Sequence, residues 1–290
     1  MASQRSMQGK VCVVSGATRG LGEATALNLA SRGATVIIIG RSPQRIKNTL
    51  ERLREAGSDH AEVCGFQADL ANQKEVRRVA GEILMQYPRI DVLINNVGAT
   101  ILNYQSSPDQ IEMTWALNYL SHFLMTYLLL GGLKSAASLH GDARIIELTS
   151  SIYRISSNNF RQRQKEQVYN GVLAYAQSKR AIISYTVETA RRLSGSGVSI
   201  NAITPGFVRT GIASQNNWFY RQVMRLVAYF SSPIEKGVQS IVSMATAQEM
   251  AGISGKYYKK HQQMPDDPSC SDPAVTSQLW QISEQMTGLS

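Results

Sequence analysis

The sequence predicts an α/β fold built on a doubly wound, mostly parallel sheet with helices on both faces. Three observations carry this. Short β-branched apolar runs alternate with helical stretches along most of the chain; the first two runs, Val11-Cys-Val-Val14 and Thr35-Val-Ile-Ile-Ile39, are continuously apolar; and the first ends in a glycine-rich turn that opens a helix. A strand apolar on both sides has both faces covered, as in a parallel sheet whose crossovers are helices.

The remaining strands are expected at Val63 to Gln67, Val92-Leu-Ile94, Arg144-Ile-Ile-Glu-Leu148 and Val198-Ser-Ile-Asn-Ala202, with helix candidates between them. No repeat, low-complexity tract or Pro/Gly-rich linker interrupts the alternation before about Lys260, so 1–290 is read as a single domain. Met264 to Pro273 reads as an irregular tail segment before a final helix, Ala274 to Met286, within a C-terminal tail spanning 260–290.

Composition limits the classes of function. Of 290 residues, 43% are hydrophobic and 18% charged, which is ordinary globular usage. The net charge is +9, but Arg191-Arg192, Lys259-Lys260 and Arg161-Gln-Arg163-Gln-Lys165 are scattered groups. They read as solvated faces, and no nucleic-acid partner is expected. Cys12, Cys64 and Cys270 are far apart and odd in number, which suggests neither a disulfide framework nor a metal site and fits a reducing, cytoplasmic setting. Met1 to Gln8 lacks the apolar core of a signal peptide. Between Glu112 and Lys134 no residue is charged, a length that would cross a bilayer. Asn118, Ser121, His122, Thr126 and Gly131-Gly132 within it favour a buried central helix, or one packed in a dimer interface.

The turn Ser15-Gly16-Ala17-Thr18-Arg19-Gly20-Leu21-Gly22 follows the first strand and leads into the helical Glu23 to Ser31. Strand, glycine-rich turn and helix start are the parts needed to set a dinucleotide pyrophosphate on backbone N–H groups. An acidic residue at the end of the second strand commonly selects NAD by bonding the ribose 2′-OH. Here that strand ends Ile39-Gly40-Arg41, and Arg41 with Arg19 could clamp a 2′-phosphate. NADPH/NADP+ is the expected cofactor.

Tyr175-Ala-Gln-Ser-Lys179 lies at the start of a long helical segment, where a separation of four puts Tyr175 and Lys179 on one face. A fixed ammonium favours the phenolate, so such a tyrosine can serve as general acid and base near neutrality while hydride moves to or from nicotinamide. In chain order there are also Asn95-Asn96-Val97-Gly98 after the fourth strand, Asn118, Ser150-Ser151 after the fifth and Pro205-Gly206 after the sixth.

Taken with the glycine loop, this set resembles the short-chain dehydrogenase/reductase family over roughly Gly9 to Tyr258. The resemblance implies a single Rossmann-like domain with a seven-stranded sheet. It also implies a catalytic set in which Ser151 bonds the substrate carbonyl, Tyr175 transfers the proton, Lys179 holds the nicotinamide ribose and tunes Tyr175, and Asn118 anchors a water. By the same resemblance, cofactor contacts fall to Gly16, Thr18, Arg19, Gly20, Leu21, Gly22 and Arg41, and to Asp69 with Leu70 beside the adenine. They fall also to Asn95 and Gly98 near the adenosine ribose, and to Pro205, Gly206, Val208 and Thr210 near the nicotinamide. Ser150 is the alternative to Ser151. Two departures from the family pattern are mild: Ser15 stands for a common Thr and Val97 for a small Ala.

Asn170-Gly-Val-Leu-Ala-Tyr175, Gly255-Lys-Tyr-Tyr258, Leu279-Trp280 and Thr287-Gly288-Leu289 are similar to the retinol dehydrogenase and WW-domain oxidoreductase branch, which implies a lipophilic small-molecule carbonyl or alcohol as substrate. The polar stretch from Phe160 to Gln167 reads as an extra surface loop near the site mouth. The aromatic segment 212–233, with Trp218, Phe219, Tyr220, Tyr229 and Phe230, reads as a substrate lid, with a core helix or a membrane contact as alternatives. The resemblance implies a homodimer or homotetramer through the helices carrying Asn118 and Tyr175, with Leu124, Tyr127 and Leu128 suited to the interface. Competing readings are a cofactor-binding scaffold protein and a C=C reductase or epimerase on the same fold.

Overall fold

A computed structural model of the chain describes residues 6–57, 62–160, 166–206 and 234–289. One eight-stranded sheet runs through it in the order β3-β2-β1-β4-β5-β6-β7-β8. The strands are β1 (Val11–Ser15), β2 (Thr35–Gly40), β3 (Val63–Gln67), β4 (Val92–Asn95), β5 (Ala143–Leu148), β6 (Val198–Thr204), β7 (Tyr257–Lys259) and β8 (Gln262–Gln263). Every pairing from β1 to β7 is parallel, and β8 alone is antiparallel. The seven strands expected are therefore present, extended by a two-residue strand that turns back on β7 through Lys260 at φ 56°. So short a strand has no periodicity to read.

Helices α1 (Gly20–Ala30), α2 (Pro43–Ala56) and α3 (Gln73–Gln86) cross over between the first four strands. A short α4 (Met113–Trp115), a π-helical turn (Ala116–Leu120) and α5 (Ser121–His140) follow one another without a break. Then come α6 (Gly171–Arg192), α7 (Ile234–Thr246), a four-residue α8 (Pro268–Ser271) and α9 (Pro273–Thr287). The tail expected to be irregular thus contains α8, which begins on a proline after the Asp267 cap.

The continuous apolar runs divide by strand alternation between two cores. Val13, Ile37, Ile39, Leu93 and Ile145 face α3, α5, α6 and α9, while Cys12, Val14, Val36, Ile38 and Ile94 face α1, α2 and α7. The two faces explain why β1 and β2 show no polar alternation.

The charge-free stretch is a buried helix: Phe123, Leu124, Met125, Leu129 and Leu133 of α5 are all in the core. No helix among the described residues is long and apolar enough to cross a membrane. Leu124 is fully buried in the chain's own core, so it is not available to the subunit interface expected of it; Tyr127 is exposed. The C-terminal α9 also lies against α5 and α6, with the Trp280 ring 5.0 Å from Phe123 and stacked at 6.1 Å on Tyr185.

Candidate active site

The carboxyl ends of β1, β4, β5 and β6 open at one edge of the sheet, and the expected site residues gather there. At the end of β1, Gly16 (φ 64°) and Gly20 (φ 57°) take the left-handed backbone that favours glycine. Gly22 is required by closeness: a Cβ there would lie 2.4 Å from Asn96 Nδ2 and 2.6 Å from the Gly16 carbonyl oxygen. Arg19, extended at φ −169°, precedes α1 without capping it through its side chain. The first N–H groups of α1 are therefore available for an anion. Leu21 is buried beneath the loop.

Asn96 holds this loop in place. Its Nδ2 donates to the carbonyls of Ser15 (2.9 Å) and Gly16 (3.2 Å), and Ser15 Oγ accepts from the backbone N–H of Asn96 (3.0 Å) and Val97 (3.2 Å). Ser15 thus uses the hydroxyl that a threonine would have supplied. Sequence reasoning singled out Asn95 and passed over Asn96; the doubled asparagine was the available signal. The Asn95 side chain turns into the core instead, donating to Glu147 Oε1 (2.7 Å) and Thr126 Oγ1 (2.9 Å), so its expected ribose contact is not a side-chain one.

Gly40 closes the other side of the loop, since a Cβ there would lie 2.4 Å from Thr18 Cγ2. That contact draws Arg19 and Arg41, each one residue further along, to the same edge, and both are exposed. Asp69 follows β3 and accepts from the Ala71 N–H (3.1 Å), with Leu70 buried beside it. Pro205 and Gly206, the latter at φ 100°, close β6. Val208, Thr210 and the aromatic segment 212–233 lie outside the described residues, as do residues 161–165 of the expected surface loop. Phe160, placed in that loop by the sequence reading, is buried, with its ring 6.0 Å from Trp115, because an aromatic ring among polar neighbours still gains by leaving water.

Asn118 lies at the centre of the π-helical turn and is fully buried. Its Oδ1 accepts from the Ala99 N–H (2.8 Å), and its Nδ2 donates to the Ala99 carbonyl (2.9 Å) and Ser178 Oγ (3.2 Å). A π-turn widens the helix by one residue and frees the local backbone, a feature often found at functional sites. α6 starts at an Asn170 cap whose Oδ1 accepts from the Val172 and Leu173 N–H groups, both at 3.1 Å. Gly171 follows because a Cβ there would meet the Ile101 carbonyl oxygen at 2.1 Å. These two residues fix the entry of the helix that carries Tyr175 and Lys179.

Tyr175 is half-buried, and Lys179 Nζ lies 5.7 Å from its ring centroid. Lys179 Nζ donates to the Leu148 carbonyl (2.9 Å), and Gly98 leaves room beside it: a Cβ at residue 98 would be 3.3 Å from Nζ and 3.4 Å from Asn118 Oδ1. Burial lowers the Lys179 pKa to about 8 from the ordinary lysine range, and the negative charge of Glu147 opposes part of that fall. Ser150 caps a 3-10 turn through Ile152 N–H (3.4 Å), while Ser151 Oγ lies 3.4 Å from Tyr257 Oη, which is 3.0 Å from Thr204 Oγ1. The structure therefore brings Asn118, Tyr175, Lys179 and Gly98 together, with both serines at the end of β5 one strand away.

A glycine cradle at an uncapped helix start, beside a tyrosine and a buried lysine, defines a dinucleotide-dependent oxidoreductase of the doubly wound class. The short chain dehydrogenase model matches residues 10–220, and the chain belongs to that family. It is 37% identical to retinol dehydrogenase 14 of Mus musculus over 98% of this chain and 87% of that protein, and 34% identical to retinol dehydrogenase 13 of Homo sapiens over 99% and 87%. Among solved structures, an uncharacterized protein from Mycobacterium paratuberculosis superposes with a TM-score of 0.76 at 27% identity, covering 99% of this chain and 96% of the other. The Pseudomonas aeruginosa RhlG/NADP active-site complex gives 0.70 at 26%, covering 89% and 97%.

Proposed function

We propose that this chain is an NADP(H)-dependent oxidoreductase that interconverts a carbonyl and an alcohol on a lipophilic small molecule. The observation that carries the reading is Lys179, buried, bonded to the Leu148 carbonyl and set over the face of the Tyr175 ring. Tyr175 gives its phenolic proton to the carbonyl oxygen in reduction and takes it back in oxidation. Lys179 stabilises the phenolate left behind and reaches the ribose hydroxyls. Asn118, held by Ala99 and Ser178, positions a water in the proton path. The Ser150-Ser151 pair supplies the hydroxyl that orients the carbonyl, with Ser151 the residue expected of that role. The dinucleotide, when bound, donates or accepts the hydride.

The residues present suit that cofactor. The space a Cβ would fill at Gly22 and the contact between Gly40 and Thr18 shape a cradle for the pyrophosphate, with Gly16, Gly20 and Gly98 along it. Arg19 and Arg41 at one exposed edge support recognition of a 2′-phosphate, as does the absence of a carboxylate at position 41. The retinol dehydrogenase relatives support a lipophilic substrate. Three free cysteines support a reducing, cytoplasmic setting. A homodimer or homotetramer that uses the exposed Tyr127 edge of α5 is expected in sedimentation, and a monomer would remove this assignment.

The test is NADPH and NADH oxidation against lipophilic aldehydes, ketones, quinones and enones, run beside Arg41→Asp. Turnover that prefers NADPH, with the preference falling at least tenfold in the variant, is expected. Unchanged preference would remove the 2′-phosphate assignment, and tight NADPH binding without turnover across the panel would favour the scaffold reading.

A further inference from the structure

Beneath the catalytic residues lies a hydrogen-bonded set of polar side chains that the reaction does not touch. Glu147 on β5 and His122 on α5 are both completely removed from solvent, with His122 Nδ1 at 2.7 Å from Glu147 Oε2. The other ring nitrogen, Nε2, is 2.8 Å from the Val97 carbonyl oxygen. A carbonyl can only accept, so Nε2 carries a hydrogen and a single proton is left between Nδ1 and the carboxylate. On the far side, Glu147 Oε1 accepts from Asn95 Nδ2, which stands opposite Glu147 in the β4–β5 register. Every polar atom of the pair is thus engaged, as a buried pair requires if it is to be tolerated.

Both ends of this set reach the site. Val97 is the residue against which Gly16 packs, a Cβ at Gly16 falling 3.1 Å from Val97 Cα, and the next residue, Gly98, lines Lys179 Nζ and Asn118. Lys179 Nζ is bonded to the carbonyl of Leu148, the residue after Glu147. We propose that His122 and Glu147 are positioning residues for the reaction: Glu147 fixes the His122 ring between β5 and α5, and His122 holds the Val97-Gly98 floor between the glycine loop and Lys179. This rests on the oxidoreductase reading above.

The shared proton leaves the pair net neutral whichever partner carries it, so its part in the site is geometric: Glu147 fixes the His122 ring, and the ring fixes the Val97 carbonyl.

The experiment is the NADPH dissociation constant of wild type, His122→Ala and His122→Gln by titration calorimetry, with the melting temperature of each. Glutamine keeps an amide N–H that can donate to the Val97 carbonyl. His122→Ala is expected to raise the constant at least threefold and His122→Gln to recover most of that loss; an unchanged constant in His122→Ala, or no recovery in a folded His122→Gln, would overturn the positioning role. Should His122→Ala not fold, His122→Asn, too short to reach the Val97 carbonyl, takes its place with the same rise expected. Binding needs no substrate, so a raised constant without any turnover would sink the oxidoreductase reading alone, and Tyr175-dependent turnover with an unchanged constant would sink only the positioning role.

Discussion

Burial takes water away from the Lys179 ammonium and leaves it one carbonyl and a phenol ring, so its pKa falls to about 8. The ammonium form, which supports the Tyr175 phenolate, is present below that value and lost above it. Turnover per free enzyme, kcat/KM, is accordingly expected to decline as pH rises through about 8, and a flat profile from pH 7 to 9.5 would argue against this role for Lys179. At Gly22 the constraint is steric. A methyl there would sit 2.4 Å from Asn96 Nδ2 and 2.6 Å from backbone, so Gly22→Ala is expected to cost at least tenfold in NADPH affinity by titration calorimetry while leaving the fold intact. The residue scale also shows where reading the sequence stopped short. Residue types at the right spacing pointed to Tyr175, Lys179 and the glycines, and the family resemblance to Asn118, whereas Asn96, to which no role was given, holds the glycine loop and Asn95 turns into the core, because neighbouring residues point to opposite sides of the chain. Glu147 and His122 were invisible as a pair, 25 residues apart and meaning nothing until β5 and α5 bring them to 2.7 Å.

Among the elements, α6 and α9 matter most. α6 enters the site at one angle because Asn170 caps it and Gly171 lies against Ile101. Gly171→Ala pushes a methyl into backbone that cannot yield, and turnover is expected to fall more than tenfold with a smaller loss in melting temperature. In α9 the Trp280 ring joins Phe123, Tyr185 and the Arg192 guanidinium, whose carbon lies 4.1 Å from the ring centroid. Trp280→Ala is expected to cost about 3 kcal/mol in chemical denaturation, and a change under about 1 kcal/mol would show that α9 adds little to the core. Strands with continuous apolar runs were legible to within two residues, since burial on both faces leaves a strong pattern. The π-turn, α8 and β8 were not, because each is set by local hydrogen bonding over a few residues and leaves no period in the sequence.

At the scale of the whole molecule, the glycine loop, the end of β2, the Val97-Gly98 floor and the start of α6 converge only because the parallel sheet aligns the carboxyl ends of its strands. Fold class and family were readable from motif order, which survives any error in element boundaries. Leu124 was misplaced in the subunit interface, since an apolar residue of a charge-free helix suits the core and a partner surface alike until the packing of α5 is seen. The central claim is that Tyr175, set by Lys179, transfers the proton that accompanies hydride transfer from nicotinamide. Its most direct test is the single-turnover reduction of a lipophilic aldehyde by NADPH deuterated on the transferred position of C4, in wild type and Tyr175→Phe. The expected result is deuterium on the product carbinol carbon in wild type, and a rate at least about a thousandfold lower in the variant at unchanged NADPH affinity. A variant that reduces the aldehyde at the wild-type rate, or a product without the label, would contradict it.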